Sequence, residues 1–405
     1  MSMTPKRRGP LAGVRVLELG NFIAAPTAGR LLGDFGADVI KVERPGVGDE
    51  LRTWRRHGGD TSLLFRALGR NKRSMTLDMR TDKGREIALE LVAKSDIVLE
   101  NFRPGTIEKW GMGPEVMQKR KPDLILVRVS GYGQTGPYRD RPGFGGVAEA
   151  VGGLRHVVGY PDRPPVRVGI SLADTVAGLY AVIGALMGLV QRNSSGSGEV
   201  VDVALYEAVY SLMESLTPDY DAFGVLRTPT GSGLPGIAPS NTYPCSDEKF
   251  VVISGNGDAI FRRLMEAVGR PDLRDDPRLI DNAGRVEHQA ELDDAIEKWT
   301  SSLTREEVLQ ALDRHEVPSG SIYEAPDILS DPHFTARGMH EVYTVDIGAE
   351  NPRAVTFPGV VPVLTNNPGV TRWIGPELGQ HTDEVLEELG YPATEHAYLR
   401  QEGVV

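Results

Sequence analysis

The stretch Val14–Glu43, VRVLELGNFIAAPTAGRLLGDFGADVIKVE, decides the fold class. Val14–Leu19 is a short apolar run typical of a buried strand, Pro26–Asp34 has the spacing of a helix rich in small residues, and Asp38–Glu43 is a second apolar run. Strands that alternate with helices of this length predict a parallel sheet with helices on both faces, an α/β fold.

The same alternation continues along the chain. KGREIALELVAKS (Lys83–Ser95) predicts a helix that leads to the strand DIVLEN, and GTIEKWGMGPEVMQKRKP (Gly105–Pro122) predicts a helix that leads to the strand LILVRVSGYG. After a long helix and the turn Asn193–Val200, a further strand, VVDVAL, is predicted. Because parallel sheets of this type bind ligands at the carboxyl ends of their strands, residues that follow these strands are candidate site residues.

Composition changes along the chain suggest two domains. Residues 1–217 are predicted to be the first part of a large Rossmann-like domain, and Pro218–Pro244, rich in Gly, Pro, Ser and Thr, a linker. Cys245–Val317 is predicted to be a smaller α+β domain. Residues 318–405 begin with a second Pro- and Gly-rich linker, followed by strands and a final charged amphipathic helix.

Overall composition indicates a globular protein, with 40% hydrophobic and 25% charged residues among 405. The single cysteine, Cys245, excludes a disulfide within the chain and favours a cytoplasmic location. No uncharged apolar run reaches eighteen or so residues, so no membrane span is expected. The basic stretch Pro5–Arg8 precedes no apolar signal core and is interpreted as a solvated terminus.

The distribution of charge suggests the kind of ligand. The net charge of −11 argues against nucleic-acid binding, but residues 1–80 hold 15 Lys and Arg against 8 Asp and Glu. A basic region on an acidic protein favours a small polyanion, such as a phosphorylated ligand. The candidate cations are Arg44, Arg52, Arg55, Arg56, Arg70, Lys72, Arg73 and Arg80. For at least half of them a solvated surface is the alternative interpretation.

Several common sites are excluded by pattern. The eight histidines form no HExxH motif or Cys/His cluster, so no metal site is expected, and no GxSxG nucleophile motif occurs. Gly231–Gly236, GSGLPG, has the spacing of a dinucleotide fingerprint but follows no predicted strand and opens no helix. A nicotinamide-dependent dehydrogenase is therefore not expected.

Two short motifs each leave two interpretations open. In SGNGDA (Ser254–Ala259), Gly255, Asn256 and Gly257 suit a loop that folds over a ligand, or a plain turn with Asp258 as the N-cap of a helix. In GISLADTVAGLYA (Gly169–Ala181), Ser171-x-x-Asp174 fits a capping box, and a lone acid among small apolar residues also fits a reacting group.

Long motifs across the chain resemble the family III CoA-transferases, a group that includes the 2-methylacyl-CoA racemases. The resemblance runs from about Leu11 to Leu389. It is carried by LAGVRVLELGNFIAAPTAGRLLGDFGADVIKVERPGVGDELR, NKRSMTLDMR, VLENFRPGTIEKWGMG, GYGQTGPYRDRPG, GISLADTVAGLYA and LGQHTDEVL.

This resemblance implies an architecture and a mechanism. Two chains would interlock like linked rings in a homodimer. Each chain would have a smaller domain and a discontinuous Rossmann-like large domain, to which residues 318–405 return. The aspartate that matches Asp174 attacks an acyl-CoA thioester to give a mixed anhydride, and CoA thiolate then converts the anhydride to an aspartyl-CoA thioester. CoA leaves on an acceptor carboxylate. Coenzyme A is thus a substrate, and no permanently bound cofactor is implied.

The resemblance also implies binding residues. Phe22 and Ile23 match positions whose backbone groups face the reacting carbonyl. The residues that match contacts to CoA are Arg44, Leu77, Arg80 and Lys109. Gly255, Asn256 and Gly257 match an active-site loop that shields the intermediates, although the longer glycine run of the family is missing. Ile23 stands where some members have glutamine, and Arg80 where some have lysine.

Two alternatives to transfer remain. A racemase is disfavoured because Gly143–Ala150, GFGGVAEA, has Phe144 where the racemases have a histidine that moves the α-proton. A non-catalytic CoA-binding protein is the second alternative. Among transferases, GIAPSNTYP and GNGDAIF are most similar to the branch that uses succinyl-CoA and a dicarboxylic acid such as malate, citramalate or glutarate.

Overall fold

The computed structural model describes residues 9–55, 57–58, 61–348 and 351–405. Arg56 and the basic stretch Pro5–Arg8 lie outside the described residues. The strands are β1 (Arg15–Glu18), β2 (Asp38–Glu43), β3 (His57–Gly58), β4 (Thr61–Ser62), β5 (Lys72–Thr76), β6 (Ile97–Glu100), β7 (Ile125–Ser130), β8 (Glu199–Ala204), β9 (Ser240–Pro244), β10 (Phe250–Ser254), β11 (Ser319–Ser321), β12 (His340–Val345) and β13 (Arg353–Pro358).

Helices separate most of these strands, and Glu50–Thr53 and Pro277–Leu279 are short 3-10 helices. The α-helices are α1 (Ala24–Asp34), α2 (Leu63–Leu68), α3 (Asp82–Ala93), α4 (Thr106–Lys109), α5 (Pro114–Arg120), α6 (Gly145–Val151), α7 (Leu154–Val157), α8 (Leu172–Ser195), α9 (Leu205–Tyr210), α10 (Leu216–Phe223), α11 (Asp258–Val268), α12 (Pro271–Arg274), α13 (Asn282–Glu287), α14 (Gln289–Thr300), α15 (Arg305–Arg314), α16 (Ala325–Ser330), α17 (Pro332–Ala336), α18 (Thr382–Leu389) and α19 (Ala393–Gln401).

A six-stranded sheet in the order β5-β2-β1-β6-β7-β8 forms the centre of the larger unit, and every pair of neighbours is parallel. The predicted parallel α/β sheet is confirmed. The edge strand β5 was not among the predicted strands, because its sequence, KRSMT, begins with two charged residues and has no apolar run.

Helices cover both faces of this sheet. Because successive side chains of a strand point to opposite faces, the apolar runs place apolar side chains on both faces. On one face, Leu17 and Leu126 pack into a core with Ile87 and Leu91 of α3. On the other face, Glu18 of β1 lies against Gly29 of α1, and Ile125 of β7 lies against Gly188 of α8.

The chain divides into two compact units. The larger comprises residues 1–154, 168–223 and 335–405, so the end of the chain returns to it. There, the His381 N–H donates to the Ser74 carbonyl at 2.9 Å, and Val385 and Leu386 of α18 are buried in the sheet core.

The smaller unit comprises residues 155–167 and 224–334 and contains the antiparallel sheet β11-β10-β9. It begins before residue 245, the predicted start of the small domain, because Ser240–Pro244 is an edge strand of this sheet. The predicted linker, residues 218–244, therefore includes strand β9 and most of helix α10.

Helix α8 is the one helix in the described part of the chain that has the length and composition to cross a membrane. Its buried residues are mostly Ala and Gly, which bring it close to α1 and to strand β7. Before residue 191 its exposed residues are large and apolar, and they include Ile183, Met187 and Val190. The helix therefore packs on the sheet with one side and leaves an apolar surface on the other.

Candidate active site

The loop Gly20–Ile23 joins β1 to α1 at the carboxyl edge of the sheet and carries two predicted site residues, Phe22 and Ile23. Phe22 has a φ of 62°, a left-handed conformation that is uncommon for a non-glycine residue. Its ring packs against Trp54 and Phe144, with ring centroids 5.3 Å and 5.8 Å away. The Phe22 N–H donates to Asp49 at 3.1 Å, so this N–H is already engaged.

A cavity of about 110 Å³ lies at the carboxyl ends of β1, β2, β5 and β6. It brings together three of the residues predicted to contact CoA, Arg44, Leu77 and Arg80. The other lining residues are Leu19, Asn21, Val42, Glu43, Asp78, Met79, Phe102 and Trp110. Lys109 is not part of the lining, but it is exposed and directly precedes Trp110. A cavity of this size holds one ring or a short chain, so the rest of a CoA molecule would lie outside it.

Arg44 and Arg80 are the exposed cations of this cavity. The Arg80 guanidinium donates to both carboxylate oxygens of Asp78, at 2.8 Å and 2.6 Å. These hydrogen bonds hold the pKa of Asp78 below its usual range. Because the guanidinium of Arg80 is about half exposed, one of its edges is open to a phosphate.

Eight cations were predicted as candidates to bind a phosphate. Four of them are buried and paired with carboxylates, so the prediction is wrong for these four. Each has a carboxylate partner at 2.7 Å: Arg52 with Glu43, Arg70 with Asp34, Lys72 with Glu18, and Arg73 with Asp38. A buried cation that already has a carboxylate partner is not available to a ligand. These residues pair with buried carboxylates of the larger unit instead.

Asp174 lies in the first turn of α8 and is half-buried. The predicted capping box is not formed, since the side chain of Ser171 makes no capping hydrogen bond. The backbone explains this, because Ser171 has φ −83° and ψ 67° rather than the extended conformation usual at an N-cap.

The surroundings of Asp174 are built by two neighbouring helices. A Cβ placed on Gly145, the first residue of α6, would lie 2.0 Å from the Asp174 Oδ2 atom, so the carboxylate occupies the space that a side chain would need. One turn after Asp174, Gly178 lies against the carbonyl of Ala24, the first residue of α1. Since residues i and i+4 share a helix face, Asp174 lies on the same face of α8 as Gly178, which packs on the start of α1. The positive end of α1 favours an anion near its first turn.

The loop Gly255–Gly257 belongs to the smaller unit and joins β10 to α11. The N-cap of α11 is Gly257, not Asp258 as one interpretation held, because Asp258 is already helical. The fully buried Arg285 donates to the carbonyl of Asn256 and to the carboxylate of Asp258, both at 2.7 Å. Arg285 thus fixes the end of the loop, a role that no local sequence pattern indicates.

A model of CoA-transferase family III matches residues 11–382 of this chain. The chain belongs to this family. The predicted family and the prediction of a CoA-transferase enzyme are therefore confirmed.

Relatives of this family III transferase are similar along its whole length. The succinyl-CoA–D-citramalate CoA-transferase of Chloroflexus aurantiacus is 48% identical over 100% of both chains. The succinate–glutarate CoA-transferase of Agrobacterium fabrum is 33% identical, over 96% of this chain and 98% of its own. A CAIB/BAIF family protein of Brucella suis is similar in structure, with a TM-score of 0.83 and 34% identity over 95% of this chain and 100% of its own.

One buried acid in α6, close to the predicted nucleophile, was not singled out from the sequence. Glu149 is fully buried on α6, four residues after Gly145, and therefore lies on the helix face that meets Asp174. It falls within GFGGVAEA, where only Phe144 was singled out. The signal that could have indicated it is an acid within a segment of small and apolar residues.

In the described part of the transferase, no group of His, Cys, Asp and Glu could hold a metal ion.

Proposed function

We propose that this transferase moves CoA from succinyl-CoA to a dicarboxylic acid of the citramalate or malate type. The observation that carries the proposal is the 48% identity, over the full length of both chains, with a succinyl-CoA–D-citramalate CoA-transferase. A succinyl-CoA–L-malate CoA-transferase beta subunit from the same organism, 43% identical over 94% of both chains, supports the same donor.

Asp174 would be the nucleophile. Its carboxylate attacks the thioester carbonyl and expels CoA thiolate, which then attacks the aspartyl carbonyl of the anhydride and releases succinate. The acceptor carboxylate attacks the resulting aspartyl-CoA thioester, and CoA thiolate closes the cycle on the acceptor acyl group. Asp174 is regenerated as a carboxylate, and no ATP is consumed because the whole cycle exchanges one CoA thioester for another.

The structure supports specific roles around Asp174. Arg44, Leu77 and Arg80 would bind CoA, with its phosphates on the two arginines. The N-terminus of α1 would stabilise the negative charge that develops near Phe22 and Ile23. Lys109 would bind from the rim of the same cavity.

An assay with a panel of acids tests this function. Incubation with succinyl-CoA and single free acids, without ATP, is expected to give a new CoA thioester with citramalate or malate and little with monocarboxylic acids. Mass spectrometry of the CoA products is the measurement. Thioester formation only with ATP would contradict the transfer mechanism, and binding without turnover on any acid would indicate the non-catalytic alternative. Deuterium uptake at the α-carbon of a 2-methylacyl-CoA would indicate a racemase.

We also propose that the enzyme works as an interlocked homodimer in the cytoplasm. The large apolar residues exposed on α8 support a protein partner, since surfaces of this kind are typical of interfaces. The discontinuous larger unit suits chains that thread through each other.

Sedimentation at several concentrations tests the dimer. The wild type is expected to sediment with twice the mass of the 44.0 kDa chain. Val190→Glu, which places a charge on the apolar surface of α8, is expected to lower the yield of dimer and its melting temperature. Gln401→Glu adds the same charge at an exposed position of α19 and serves as control. A stable, active monomer would contradict this proposal.

A further inference from the structure

Polar side chains hold the loop between β1 and α1 at three points and the first turn of α1 at a fourth. Lys41 donates to the Gly20 carbonyl at 2.9 Å, and Asn101 donates to the Asn21 carbonyl at 2.7 Å. Asp49 accepts from the Phe22 N–H at 3.1 Å. Lys72 donates to the carbonyl of Pro26, in the first turn of α1, at 2.8 Å. The backbone on both sides of Phe22 is therefore fixed.

The charged members of this set form one buried network. Glu18 and Lys41 are directly paired residues of adjacent strands, and their charged atoms are 3.0 Å apart. Lys41 also lies 2.8 Å from the Asp49 Oδ2 atom, and Lys72 lies 2.7 Å from the Glu18 Oε2 atom. All four side chains are almost completely buried. We define Glu18, Lys41, Asp49 and Lys72 as the β1–α1 clamp.

Electrostatics within the β1–α1 clamp keep Asp49 tied to Lys41. Burial opposes the charge of Lys41, but the carboxylates of Asp49 and Glu18 outweigh it and raise the pKa of Lys41 above its usual value. Burial lowers the pKa of Lys72 to about 8, against the attraction of Glu18. Lys41 is therefore the permanently charged centre of the clamp.

A buried network of this kind is not required for stability alone. Buried ion pairs are often replaceable by apolar side chains of similar volume at no cost in stability, and some are kept because they specify one conformation. Here that conformation is the left-handed backbone of Phe22, which costs about 1–3 kcal/mol and persists only where its surroundings impose it.

The conformation of Phe22 matters for the surroundings of Asp174. The Phe22 ring packs on Phe144, which directly precedes Gly145, the residue in contact with the Asp174 carboxylate. The carbonyl of Ala24, two residues after Phe22, packs on Gly178, one turn after Asp174. A shift of the loop would therefore displace both neighbours of the nucleophile.

We propose that Asp49, held by Lys41, is a positioning residue for CoA transfer: it fixes the backbone of Phe22 and so the start of α1, which packs on α8 one turn after Asp174. The proposal rests on the proposed role of Asp174. Asp49 does not line the predicted CoA cavity, and of residues 20–23 only Asn21 does, so its effect is expected mainly on the chemical step.

Asp49→Asn tests this role, because it keeps an oxygen acceptor but removes the charge that binds Lys41. We expect kcat to fall on the order of 10–100-fold, as small misplacements of reacting groups do, with the KM for the CoA donor changed less than about threefold. Hydrogen–deuterium exchange of residues 20–25 is expected to become faster. Unchanged kcat per folded enzyme, despite faster exchange in this segment, would overturn the proposal, and so would unchanged exchange.

Asp34→Asn is the matched control. Asp34 is also buried, ends the same helix α1, and pairs with Arg70 through contacts at 2.7 Å and 2.9 Å. It lies at the opposite end of α1 from residues 20–23, so the variant is expected to lose stability while kcat per folded enzyme stays within about threefold of wild type. A loss of kcat equal to that of Asp49→Asn would show that any buried charge change has this effect, and would overturn the proposal.

If Asp49→Asn does not fold, Lys41→Arg provides the second variant, because it keeps the charge and changes only the geometry of the clamp. The same loss of kcat with little change in KM is expected, and a normal kcat would contradict the proposal. Hydrogen–deuterium exchange of residues 20–25 is measured without substrate, so this measurement does not depend on CoA transfer. A wild type that transfers no CoA would thus refute the proposed function, while the exchange data would still decide whether Asp49 holds the loop.

Discussion

Asp174→Asn is expected to lower CoA transfer by a factor on the order of 10³ or more, because it removes the attacking oxygen. Folding and CoA binding should be retained, since an amide is nearly isosteric with a carboxylate and Asp174 does not line the CoA cavity. Loss of a carboxylate in the first turn of α8 costs only about 0.3–1 kcal/mol through the helix dipole. The measurements are steady-state transfer rate, melting temperature and binding of a CoA thioester.

Covalent trapping makes the test of Asp174 specific. Wild-type enzyme mixed with an acyl-CoA and treated with hydroxylamine is expected to be modified at Asp174, as shown by mass spectrometry of peptides, and the Asn variant is expected to remain unmodified. Asp82→Asn removes an exposed first-turn acid from α3 and is the control for the dipole effect. Normal transfer by Asp174→Asn would return this residue to a purely structural role at the start of α8.

The parallel sheet could be predicted because most of its strands are local apolar runs. The sequence of β1, β2, β6, β7 and β8 is apolar or alternating, whereas β5 begins with Lys72 and Arg73. Both cations are buried, and their carboxylate partners, Glu18 and Asp38, come from strands earlier in the chain. A pattern read along one segment contains no information about such distant partners.

Prediction of the site had the same limit, since a short segment of sequence does not show which distant residues it will contact. Arg44, Leu77 and Arg80 were predicted by resemblance to contact CoA, and they line one cavity. Asp49 could not be identified, because its partners, Phe22 and Lys41, become neighbours only when β1 and β2 pair. The capping box at Ser171 fitted the sequence, but the backbone of that residue does not have the conformation of a capping residue.

Gly145→Ala is expected to lower kcat by about 100-fold, the size of effect produced when a reacting group is displaced by about 1 Å. The added Cβ would lie 2.0 Å from the Asp174 Oδ2 atom, far closer than two atoms without a bond can approach. Either the carboxylate or α6 must therefore move. Gly145 does not have a positive φ, so alanine can adopt its backbone conformation and the effect comes from the contact with Asp174.

Stability and activity should separate in this variant. The atom that the new Cβ meets is the end of the Asp174 side chain, which can move without a shift of the backbone, so the melting temperature is expected to change little. The KM for the CoA donor should also change little, because α6 contributes no residue to the CoA cavity. Gly320→Ala, at a glycine with no atom within 4 Å of the added Cβ, is the control and should keep wild-type kcat. If Gly145→Ala retains full kcat, the carboxylate of Asp174 can react from a displaced position, and the close contact with α6 does not set the geometry of transfer.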